Sequence, residues 1–142
     1  MFYTPMINKA LILAYNTHKD QVDKAGLPNI DHPFYLATQM NTEEAIITAL
    51  LHDAVEDSSY TFKDIERLGF SPSIMTALRL LTHDDSDDYI TYIQRIKTNE
   101  LARVVKLADL KHNSDDSRLD IIDDKVIERL HRYAESIKIL EP

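Results

Sequence analysis

The sequence predicts an all-α fold, a single compact helical domain of about seven or eight helices. Helical spacing of apolar residues dominates the chain. Only two glycines, Gly26 and Gly69, occur in 142 residues, so tight hairpins have little turn chemistry to use. Polar residues of the capping type stand just ahead of the apolar runs.

The elements follow in order. A first helix runs from about Met6 to Lys19, and the stretch from Lys24 to Asp31, with Gly26 and Pro28, is a loop. A short helix starts near Pro33, where a missing N–H costs nothing. Asn41 with Glu44 reads as a capping box for the helix that carries His52 and Asp53. Thr61 with Asp64 resembles another cap, and Gly69 is placed to end that short helix. Ser71-Pro72 opens a helix to about Leu81, and Ser86 caps one through Tyr89, Tyr92 and Ile93. Another spans about Glu100 to His112. Asp123 or Asp124 starts a last amphipathic helix through Val126, Leu130, Tyr133 and Ile137. No repeat, low-complexity tract or linker interrupts the chain, so residues 1–142 read as one domain, large enough for a proper core.

Composition narrows the chemistry. Apolar residues make up 44% and charged residues 28%, a globular balance. There is no cysteine, so disulfides and thiolate metal sites are excluded, and metal ligands must come from His, Asp, Glu or Asn. No apolar stretch approaches membrane-spanning length and no leader is evident, which makes the cytoplasm the default expectation. A net charge of −8 discourages nonspecific nucleic-acid binding but permits a phosphorylated small molecule, given a cation and a few Lys or Arg to hold it. No feature of the sequence fixes an oligomeric state.

The chemistry concentrates in Leu51-His52-Asp53-Ala54-Val55-Glu56-Asp57, which follows an almost wholly apolar run. Burying such charges without partners is costly, so the cluster calls for a metal, a hydrogen-bond network or solvent. On a continuous helix His52 would share a face with Glu56, and Asp53 with Asp57. The first pair then binds metal while the second handles protons. Asp109, inside the apolar stretch from Val104 to Ala108, needs a partner of its own, and His32 stands between Asp31 and Pro33. A site of two histidines and two carboxylates suits Mn²⁺, Fe²⁺ or Zn²⁺ better than Ca²⁺. Such a metal makes a bound water a better nucleophile and draws charge from a phosphate oxygen, with a nearby carboxylate as general base or acid. The remaining features have blander readings. His18 reads as a core or supporting histidine, His83, His112 and His131 as structural or surface residues, Asp84 to Asp88 as a solvated acidic run, and Tyr89 and Tyr92 as packing.

The order His32, His52-Asp53, Asp109 resembles the HD superfamily of metal-dependent phosphohydrolases. The stretch from His18 to Pro33 resembles the opening motif of the RelA/SpoT-type hydrolase domain, Ala49 to Asp57 its central motif, and Val105 to Asn113 its third. The resemblance covers about residues 7–118, and the short length is similar to that of stand-alone small alarmone hydrolases. It implies that His32, His52, Asp53 and Asp109 hold one divalent metal, usually manganese, and that Glu56 and Asp57 are catalytic carboxylates. It further implies that Asn113 contacts the nucleotide ribose, that Lys24 lies near the phosphates or base, and that the reaction releases pyrophosphate from the 3′ position of (p)ppGpp. Two positions depart from the family pattern: Asp23 stands where Arg is usual, and Asn29 where Tyr is usual. An anion in place of a cation beside a polyphosphate weakens binding, so another nucleotide or phosphoester is the alternative substrate. A metal-binding module without turnover is a third reading.

Overall fold

The computed structural model describes residues 1–23, 26–115 and 123–142. Among them the only regular secondary structure is helical: α1 (Pro5–His18), α2 (Asp31–Thr38), α3 (Glu43–Leu51), α4 (Ala54–Asp57), α5 (Phe62–Glu66), α6 (Pro72–Leu81), α7 (Tyr89–Lys97), α8 (Glu100–Asn113) and α9 (Asp124–Leu140). Eight of these have five residues or more, and α4 is a single turn. The all-α expectation holds. An isolated bridge between Val22 and Pro28 pinches the loop between α1 and α2. No helix of the described residues is long and apolar enough to cross a membrane.

The core is built around α3. Every residue from Ala45 to Leu51 is buried, because α1, α2, α6 and α8 all pack against this one helix. A helix apolar on all sides belongs at the centre of a domain. Helices α7 and α9 pack on each other and on α8 to close the far side. Ile7, Leu36, Ile46, Leu50, Leu51, Ile93 and Leu110 are among the fully buried side chains that join these layers.

Several caps are as the sequence predicts. Thr61 and Asp64 form a reciprocal capping box, Ser71 caps α6, and Asp123 caps α9. Gly69 takes a φ of +92°, a conformation open to glycine, in the turn after α5. Two caps differ. Thr42, not Asn41, caps α3 by accepting from the Ala45 N–H at 3.1 Å. Glu44 does not reach back to complete a box with Asn41; its carboxylate instead accepts from the Ser71 hydroxyl at 3.2 Å. Asp88, not Ser86, caps α7, with Oδ2 accepting from both the N–H and the hydroxyl of Thr91. The Ser86 N–H is taken by Asp84 Oδ1 in the preceding turn.

The larger correction concerns the His-Asp pair. The helix does not carry it. It ends at Leu51, with His52 as its C-cap, and Asp53 adopts φ −106° and ψ 2° before α4 begins. That region of backbone space is sparsely used and recurs in active sites. The break invalidates the simple helical-wheel pairing of His52 with Glu56, and it turns the pair away from the helix surface toward α2 and α8.

Candidate metal centre

Three segments converge. His32 sits in the first turn of α2, His52 and Asp53 at the α3–α4 break, and Asp109 in the interior of α8. Ligand atoms of His32, His52 and Asp109 all lie within 4.8 Å of one another. His32 Nε2 is 2.7 Å from Asp109 Oδ1, and His52 Nε2 is 3.5 Å from the same oxygen. Asp53 joins from the edge, its Oδ2 3.0 Å from His52 Nε2. Three residues separated by up to 77 positions in the chain thus face one point, with Asp53 beside His52.

His52 shows what that point demands. Its Nδ1 lies 2.7 Å from the Ala49 carbonyl oxygen, which only accepts, so Nδ1 carries the proton. Nε2 lies 3.0 Å from Asp53 Oδ2 and 3.5 Å from Asp109 Oδ1. It is buried and makes no hydrogen bond of acceptable geometry. A buried nitrogen facing two carboxylates, sealed from water, is stabilised by positive charge, whether a proton or a metal cation. Burial opposes charging His52, yet Asp53 and Asp109 outweigh burial and hold its pKa well above the ordinary range. The mixed nitrogen and oxygen donor set fits a first-row divalent metal.

Asp109 is 5% exposed and its two oxygens are divided between tasks. Oδ1 faces the histidines and also accepts from Asn113 Nδ2 at 3.0 Å. Oδ2 accepts from Lys106 Nζ at 2.9 Å. Burial works against its ionisation, but the Lys106 ammonium, the hydrogen bond of His32 and the nearby His52 keep the carboxyl well below the usual carboxylate range. Lys106 is itself tucked in, its ammonium 5.4 Å from the centroid of the Tyr92 ring. Burial disfavours its charge too, and Asp109 more than restores it.

Glu56 and Asp57 stand apart from this buried set, on α4 and solvent-accessible. They line different recesses. Asp57 belongs to a recess of about 190 Å³ shared with His18, Asp23, Asn29, His32, Asp53 and Asn113. Glu56 lines another, with His83 and Asp85, and its Oε1 accepts from the His83 N–H. Partial burial raises both carboxyl pKa values; the His83 hydrogen bond counteracts this at Glu56, and the Asp53 charge adds to it at Asp57. A larger, mostly apolar cleft of about 720 Å³ lies between the start of α3 and α8, lined by Met40, Leu101, Val104 and Leu107. It contains none of these groups, so the chemistry belongs to the small polar recesses.

The structure therefore brings together His32, His52, Asp53 and Asp109, places Asp57 and Asn113 on the adjoining recess, and puts Glu56 on the neighbouring one. Lys24 lies outside the described residues. Sequence reasoning missed Lys106 and His112. Both sit three residues from Asp109 on α8, the spacing at which helical side chains meet, and that spacing was the available signal. His112 Nδ1 is 2.6 Å from His32 Nδ1. Asp23 has a structural use: its Oδ1 accepts from the Leu27 N–H at 2.9 Å and closes the turn. Asn29 donates to Gln21 Oε1, and Gln21 donates to the Asp57 carbonyl, so this loop is tied to α4.

No protein-family model matches the chain. It is 32% identical over 123 residues to the GTP pyrophosphokinase rsh of Brucella melitensis, covering 76% of this chain and 16% of that protein. It is 27% identical over 122 residues to the bifunctional (p)ppGpp synthase/hydrolase SpoT of Escherichia coli K12, covering 75% of this chain and 17% of that protein. The chain thus spans about a sixth of the curated relatives it matches. Among solved structures, a metazoan ortholog of SpoT, described as hydrolysing ppGpp and acting in starvation responses, superposes with a TM-score of 0.79. That match covers 99% of this chain and 88% of the other at 23% identity, a likeness of fold.

Proposed function

We propose that this chain, a homologue of one segment of the RelA/SpoT (p)ppGpp synthase/hydrolases, is a metal-dependent hydrolase that removes the 3′-pyrophosphate of ppGpp or pppGpp to leave GDP or GTP. The observation that carries the reading is the convergence of His32, His52 and Asp109 ligand atoms within 4.8 Å, with the buried His52 Nε2 left without a hydrogen-bond partner between Asp53 and Asp109. His32, His52, Asp53 and Asp109 would hold the metal, Mn²⁺ first, with Fe²⁺ or Zn²⁺ as alternatives of similar donor preference. When bound, such a cation supplies Lewis acidity, drawing charge from a phosphate oxygen and lowering the pKa of water.

The chain's own residues divide the remaining work. Glu56 and Asp57 handle the proton released when water attacks phosphorus; carboxyls with raised pKa exchange protons closer to neutral pH than ordinary ones. Asn113, on the recess wall beside His32, meets the nucleoside ribose. Lys24 supplies positive charge to the phosphates or base. In this reading the chain works as one domain over residues 1–142, in the cytoplasm, on a small-molecule substrate, and its net charge of −8 disfavours nucleic acid as partner.

A specific observation favours a second substrate reading. Asp23 and Asn29 offer neither a cation nor an aromatic face to a guanine nucleotide, and both are engaged in hydrogen bonds of their own loop. Another nucleotide or phosphoester would keep the same metal centre. The deciding experiment measures pyrophosphate release by Mn²⁺-loaded protein from ppGpp beside GTP, NADPH and a simple phosphodiester. Preferential release from ppGpp is expected. Turnover of another compound alone would transfer the mechanism to that substrate, and no turnover of any would leave a metal-binding module.

A further inference from the structure

The two metal-facing histidines are anchored in different ways. His52 is fixed through Nδ1 by a main-chain carbonyl. His32 has no such carbonyl at its Nδ1; the atom there is the Nδ1 of another imidazole, that of His112, at 2.6 Å. The two ring planes differ by only 6°. Their centroids are 4.9 Å apart, more than the N···N distance by about two ring radii, so the rings lie edge to edge in one plane. This is the arrangement of an in-plane N–H···N hydrogen bond, not of face-to-face stacking. The outer ring is held in turn by Tyr35, stacked on His112 at 4.3 Å and 23°.

We infer that His112 is a positioning residue of the metal centre: its Nδ1 accepts the Nδ1 proton of His32 and so commits His32 to offer Nε2 as the ligand atom. The chemistry leaves little choice. An imidazole that gives one nitrogen to a metal keeps its proton on the other. His32 Nε2 is the atom beside Asp109 and within the ligand group. With a metal on Nε2, Nδ1 must therefore donate, and His112 must accept through an unprotonated Nδ1. Ligating histidines gain orientation and basicity from such partners. An imidazole acceptor is unusual beside the more common carboxylate or carbonyl, and Tyr35 and the coplanar ring fix its direction.

The inference rests on the metal-centre reading, and the test separates the two. Three proteins are compared: wild type, His112→Asn and His112→Phe. Asn keeps an acceptor near the place of Nδ1, whereas Phe keeps the flat ring against Tyr35 and removes the acceptor. Mn²⁺ and Zn²⁺ affinities are measured by calorimetry on the full chain. His112→Phe is expected to bind about 10–100-fold more weakly, the usual consequence of losing such a partner, while His112→Asn stays close to wild type. Equal affinity of wild type and His112→Phe overturns the inference. Absence of metal binding by wild type instead overturns the metal centre itself. The spectroscopic arm uses Zn²⁺-loaded, ¹⁵N-labelled wild type. A proton on His32 Nδ1 with scalar coupling across the hydrogen bond to His112 Nδ1 is expected, and a bare His32 Nδ1 in the loaded protein rejects the assignment.

Discussion

The centre has a dry half and a wet half, and they are built on opposite terms. In the dry half His52 and Asp109 are nearly inaccessible, and the charges are answered atom by atom: one Asp109 oxygen by Lys106, the other by His32 and Asn113, and His52 Nδ1 by Ala49. In the wet half Glu56 and Asp57 ride on a single helical turn in contact with solvent. Buried charge is tolerated only with partners, so the dry half is rigid by necessity. Carboxylates in contact with water need fewer partners and remain free to gain and lose protons. The proposed division between holding a cation and moving a proton thus follows from burial.

The comparison breaks most severely at Asp109. Asp109→Ala is expected to abolish metal binding and to leave the Lys106 ammonium buried without its anion, a loss of about 3–5 kcal/mol by analogy with other broken buried pairs. Denaturant unfolding together with calorimetry reads both effects. The double variant Asp109→Ala/Lys106→Met should recover much of the stability and none of the metal affinity. If metal binding returned as well, Asp109 would not be a ligand.

Glu56→Gln tests the wet half. Turnover should fall by about 10²–10⁴-fold, the range for loss of a proton-transfer group, with metal affinity unchanged. The pH profile sharpens this. Burial raises the Glu56 and Asp57 pKa values, so a base function requires pH above the ordinary carboxylate range, and the acidic limb of kcat/KM should lie above about 4.3. In Glu56→Gln the limb due to Glu56 should vanish. The stability signs are opposite for the two α4 carboxyls and for Asp109. The folded protein keeps protons on Glu56 and Asp57 that the unfolded chain releases, so their contribution declines as pH rises from the ordinary carboxylate value through the raised one. For Asp109, held well below the ordinary value, the contribution is present above the ordinary range and declines as pH falls.

The smallest expected effect is at the tether. Gln21→Ala removes the hydrogen bond to the Asp57 carbonyl and the acceptor for Asn29. A stability loss of about 1 kcal/mol per bond is expected, with turnover reduced and metal affinity intact. A drop in metal affinity as large as that of Asp109→Ala would show that the two halves are not separable.

Much of this was legible in one dimension. Helical periodicity, the scarcity of glycine and caps such as Thr61, Ser71 and Asp123 state the fold class and most element starts. Such signals are local: a cap oxygen serves an N–H three residues away, and an apolar stripe repeats within a few turns. The chain also marks the residues that converge, because His52, Asp53 and Asp109 are ionisable groups in apolar surroundings, and His32 stands ahead of a helix start. Where two capping residues are neighbours, as at Asn41 and Thr42, local rules do not choose; the distant Ser71 claims Glu44 and the cap moves to Thr42.

Only the tertiary structure decided how those groups meet. Helix α3 stops at Leu51 and Asp53 takes a bridging conformation, which redirects the pair. Packing of α2 and α8 against α3 carries His32 and Asp109 to one point and gives His32 the ring of His112 as its anchor. The physical reason is common to both. Propensity and periodicity act over a few residues and are written in the order of the amino acids, whereas pairing of buried charges acts across whatever segments the core brings into contact.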